Sequence, residues 1–162
     1  AQNINVIKDD TLEVEIYMKQ KTRDLLFELT VKEGDPNRIS NITGTLSGIV
    51  GSFDLSSQRI CGEAMNTSFP FARTNDKVTA HTRLLGTTGL KQSLRIDLTF
   101  TDGSSQTIEN DLTDLLKNFN DDMPTPMYIT GDLLTPIEAD MTATIVGWEN
   151  GNEENGENIE IY

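Results

Sequence analysis

The sequence predicts an all-β domain, folded as a two-sheet antiparallel β-sandwich with at most one short helix near residues 110–119. Three observations carry this. Apolar and polar residues alternate along most of the chain, the period of a half-buried strand. Turn residues fall between the alternating runs. The chain has 162 residues, 36% of them hydrophobic, enough for one domain with one core.

The elements follow in order. In Thr11–Lys19, Leu12, Val14, Ile16 and Met18 share one face and Glu13 and Glu15 the other. In Asp24–Lys32, Leu25, Phe27, Leu29 and Val31 do the same. Gly34-Asp35-Pro36 then breaks the chain. Asn41–Val50 takes its bulk from Ile42, Leu46 and Ile49. Its glycines Gly44 and Gly48, with Gly51 just beyond, read as bulges or close strand approaches rather than a phosphate loop. Glu63–Phe71 holds Met65, Phe69 and Phe71, and Lys77–Leu85 holds Val78, Ala80 and Leu84. The cleanest alternation is Leu94, Ile96, Leu98 and Phe100 against Arg95, Asp97 and Thr99. Asp102-Gly103 marks a hairpin into the short strand Gln106–Glu109. In Asn110–Phe119, Leu112, Leu115, Leu116 and Phe119 recur at helical spacing, and Asn110 or Asp111 can cap a helix there. The alternative is a loop that tucks the leucines under a sheet edge. Met127–Leu134, Met141–Trp148 and Asn158–Tyr162 complete the strands. The expected layout is a flexible segment over 1–10 and a single sandwich over 11–162.

The chemistry of catalysis is hard to assemble from this chain, and no enzyme is expected. A hydroxyl nucleophile needs a histidine to take its proton. His81 is the only one, and alternation puts it on the polar face, where it reads as a solvated surface residue. Cys61 is the only cysteine, so no internal disulfide forms, and it reads as a small buried hydrophobe. One histidine and one cysteine make no zinc motif. Asp121-Asp122 is the most suggestive carboxylate pair, but no aromatic platform flanks it. Glu149–Glu157 offers oxygen ligands without the spacing of a calcium loop and reads as a solvated hairpin loop. Trp148 falls on the opposite parity to Ile145; it either ends its strand facing outward or covers the edge of the core, and the packing role is favoured. No cofactor or metal is expected.

Charge narrows the partners. There are 13 basic residues against 26 acidic ones, a net of −13. Nucleic acid and anionic membranes select clustered Lys and Arg. The only tight basic group here is Lys19, Lys21 and Arg23. No apolar run approaches the roughly 20 residues that cross a bilayer as a helix, so direct membrane insertion by this segment is not expected. The chain opens Ala1-Gln2-Asn3, which reads as a mature or trimmed form with any targeting signal upstream.

Lys19–Val31 (KQKTRDLLFELTV), Gly34-Asp35-Pro36 and Asn41–Ser52 (NITGTLSGIVGS), taken together, resemble the Bacteroidales fimbrial subunit superfamily, in particular its anchor-like and accessory subunits. Thr43-Gly44-Thr45-Leu46-Ser47-Gly48 is the most specific piece, supported by Ser68-Phe69-Pro70-Phe71, the Leu98–Gly103 run and Gly147-Trp148. The resemblance covers about Leu12 to Tyr162. It implies a transthyretin-like sandwich, usually one of two in tandem, in an exported lipoprotein at the cell surface, outer membrane or fimbrium. This chain would match the C-terminal sandwich, and it departs from the family in showing neither the N-terminal domain nor the lipid-modified cysteine. The family has no catalytic residues to carry over.

The implied function is a structural or assembly subunit whose partners are other fimbrial subunits. A carbohydrate- or peptide-binding adhesion domain, with a host or bacterial surface ligand, is the alternative, and a hydrolase a distant third. Asp10-Thr11-Leu12 fits the short pattern at which exported proteins of this bacterial group carry O-glycans, so Thr11 is a candidate glycosylation site. Asn158–Tyr162 is expected to pair within the chain with Met141–Trp148, Ile159 and Ile161 facing the core.

Overall fold

The alternating runs become strands. The computed structural model describes residues 13, 15, 17–136 and 141–151. Among these the chain forms β1 (Arg23–Glu33), β2 (Ile39–Asp54), β3 (Arg59–Pro70), β4 (Ala72–Thr74), β5 (Lys77–Leu84), β6 (Ser93–Phe100), β7 (Ser105–Asp111), α1 (Thr113–Leu116), β8 (Met127–Leu134) and β9 (Thr144–Gly151). A 3-10 turn at Pro36–Arg38 follows the predicted Gly34 break. The strands make two sheets, ordered β4-β5-β1-β8-β9 and β3-β2-β6-β7.

One hydrophobic core fills the space between the sheets. β1 contributes Leu25, Phe27, Leu29 and Val31; β2 contributes Ile42 and Leu46; β6 contributes Leu94, Ile96, Leu98 and Phe100. These are the positions that alternation selects. At its centre the Phe27 ring stacks on Phe69 with centroids 5.6 Å apart, and Phe71 closes the cluster at 6.0 Å from Phe27. Gly44 lies under these rings: a Cβ there would sit 2.7 Å from Phe71 and 2.8 Å from Phe69. Gly48, at φ +71°, falls where the β2–β3 register shifts, and a Cβ on Gly51 would collide with Met65. Bulge and close approach thus account for the glycine-rich run.

Pairing departs from the expected antiparallel pattern at one place. β1 pairs antiparallel with β5 but parallel with β8, from Leu25 opposite Met127 to Glu33 opposite Leu134. Alternation reports which face is buried and carries no information about strand direction. The first expected strand also changes. The described positions of Thr11–Lys19 form no strand, and Met18, assigned to the core face, is 94% exposed.

The predicted helix survives as one turn. β7 runs on to Asp111, and α1 spans only Thr113–Leu116. Asp111 still acts near its start, its Oδ1 accepting from the Thr113 backbone N–H at 2.9 Å. Leu112, Leu116 and Phe119 are fully buried, so both readings held part of the truth: a short helix in a segment that tucks its apolar residues under the sheets.

Arg23 fixes the loop that follows. It is 7% exposed, and its guanidinium lies over the Phe119 ring at 5.4 Å. Nε donates to the Thr125 carbonyl at 2.6 Å, and Nη1 donates to the carbonyls of Phe119 at 2.8 Å and Asn118 at 3.1 Å. Lys21 sits over the Phe53 ring instead. Two members of the basic group in the sequence thus lie over different aromatic rings.

Candidate functional site

β3 is the most exposed of the long strands among the described residues. It closes the four-stranded sheet and, among the described residues, pairs there only with β2. From Arg59 to Asn66 every residue is exposed, on both faces of the strand. Here β2 and β3 project as a two-stranded arm, with Leu55 at its turn 75% exposed, Met65 54% and Ile60 38%. A ribbon of two strands is marginally stable by itself. Its free edge carries unpaired backbone N–H and C=O groups, which proteins usually shield with charge, proline or a bulge. Arg59, Glu63 and the bulge at Gly62 (φ +91°) shield the outer half of the arm, and Pro70 ends the strand. Ala64–Phe69 between them has no such shield.

Cys61 lies on this arm and is exposed, which corrects its reading as a buried hydrophobe. From Arg59 to Met65 the strand lies outside the sandwich, so alternate positions have no core to face. Met65, counted as bulk for its strand, is exposed for the same reason.

His81 also differs from expectation. It is on the polar face as predicted, but it is not simply solvated. It flanks Leu26, which is buried on that outer face, and its Nε2 donates to Asp24 Oδ1 at 2.8 Å. Arg83 Nε donates to the same oxygen at 2.8 Å, and its Nη2 to Oδ2 at 3.2 Å. These Arg83 hydrogen bonds hold the Asp24 carboxyl below the usual carboxylate range; burial opposes the shift and the His81 hydrogen bond adds to it. The lowered pKa means that the folded state binds this proton less readily than the unfolded chain. The network's stabilisation is therefore present above the unfolded value of about 3.9 and is lost as pH falls through the lower folded value. Asp24→Asn is expected to reduce the melting temperature at pH 7. The gap from the wild type should narrow below about pH 4. Thermal melts at both pH values test this, and a constant gap contradicts it.

A polar hollow of about 300 Å³ opens on the same outer face, lined by Glu28, Thr30, Lys77, Thr130, Asp132 and Glu149 with the backbones of Gly131 and Gly147. Its charges are largely engaged. Lys77 pairs with Glu28, Lys32 lies 3.9 Å from Asp132, and Thr130 donates to Glu149 at 3.4 Å. Among the described residues no three His, Cys, Asp or Glu side chains converge to hold a metal ion.

The other sequence candidates separate. Asp121 and Asp122 lie exposed in a turn. Trp148 packs against the core, as predicted. The reason is a bulge: Gly147 at φ +66° lies where the β8–β9 register shifts, and this resets parity so that Ile145 and Trp148 both reach inward. Thr11, Ile159 and Ile161 lie outside the described residues, as does most of Glu149–Glu157. Sequence reasoning missed Asp24 and the open arm. The run Asp24, His81, Arg83 was visible as polar residues flanking two predicted strands, but their pairing required the β1–β5 register.

The sequence profile of the family described as fimbrillin-A associated anchor proteins Mfa1 and Mfa2 matches residues 1–154. The crystal structure of a candidate adhesin from Bacteroides ovatus superposes with a TM-score of 0.58 at 13% identity, covering 86% of this chain and 53% of that one. The chain thus spans about half the length of that structure, and at this identity the likeness is one of fold. No curated protein sequence matches.

Proposed function

The chain belongs to the family of fimbrillin-A associated anchor proteins, and on that premise we propose that it is an assembly subunit of a surface fimbria that docks other fimbrial subunits along the free edge of β3. The observation that carries this reading is the unshielded edge Ala64–Phe69, which starts on the exposed arm and continues along the sheet. Strand addition supplies partners for its backbone groups and apolar cover for Met65. Lysine on an edge strand discourages such pairing. The double variant Met65→Lys/Asn66→Lys is therefore expected to weaken binding to a fimbrial subunit by at least about tenfold, or about 1.4 kcal/mol, with its melting temperature unchanged. Undiminished binding overturns the edge as the docking surface.

Under this reading the protein is exported and stands at the outer membrane or in the fimbrium. Its sandwich is of the transthyretin-like kind, the C-terminal domain of a longer lipoprotein. Residues 158–162 form a strand of the same domain, added to the outer edge of β9, with Ile159 and Ile161 turned to the core. Two buried isoleucines contribute roughly 3–6 kcal/mol. Deleting Asn158–Tyr162 is expected to unfold or aggregate the domain. A truncated protein that stays folded and monomeric, and captures the missing peptide from solution, makes this segment a donor strand instead.

The adhesion reading has its own foothold. The Bacteroides ovatus neighbour is described as a candidate adhesin, and the outer-face hollow has hydroxyl and carboxylate groups suited to a sugar. It ranks second because those groups already engage one another.

A further inference from the structure

We draw no further inference here: the strongest candidate, the polar hollow on the outer face of the five-stranded sheet, carries nothing beyond the second reading above because its carboxylates are engaged by Lys77, Lys32 and Thr130 and nothing among the described residues points to a ligand for it.

Discussion

Phe27→Ala is expected to destabilise the domain by about 3–5 kcal/mol, the range for removing a buried aromatic side chain. Phe27 is fully buried in the central strand β1, and its ring touches both Phe69 and Phe71. The cavity would open between the two sheets, where both backbones are held by their ladders and collapse is limited. Set against a typical stability of about 5–15 kcal/mol, the loss leaves a marginal fold. Chemical denaturation measures it. A loss below about 1.5 kcal/mol, the ceiling for well-tolerated hydrophobic swaps, contradicts a core centred on these rings.

Arg23→Met is expected to cost about 3 kcal/mol for a different reason. The methionine keeps apolar cover over Phe119 but removes the guanidinium donors to the carbonyls of Asn118, Phe119 and Thr125. Hydrogen bonds from a charged group contribute about 1.5–3 kcal/mol each, partly recovered where water reaches the freed carbonyls. Arg23→Lys should recover little, because an ammonium lacks the planar fork that spans Nε and Nη1 contacts together. The same denaturation series checks both variants. Full rescue by lysine shows that charge alone, not the fork, holds the loop.

Much of this fold is legible in the sequence because burial of one sheet face imprints a period of two. Leu94, Ile96, Leu98 and Phe100 are named as core by counting alone, and all four are buried. Asp102-Gly103 marks the β6–β7 hairpin, with Gly103 at φ +84°. What the pattern does not encode is partnership. Nothing in Asp24–Lys32 or Met127–Leu134 says that they run parallel. Nothing in Glu63–Phe71 says that one side of its strand faces no neighbour among the described residues. The same limit explains Met65 and Met18: each fits an alternating run, yet burial depends on whether a second sheet lies opposite. The docking edge is a property of strand order, which appears only once β3 is placed beyond β2.

In the function proposed above, the chain works by binding protein subunits of a fimbria. The most direct measurement is a binding titration of the purified chain against fimbrial subunits encoded beside it, in parallel with a panel of host and bacterial glycans. Saturable binding to at least one subunit is expected, competed by a peptide able to add to the β3 edge, with no glycan binding. Saturable binding to a glycan with no affinity for any subunit contradicts it.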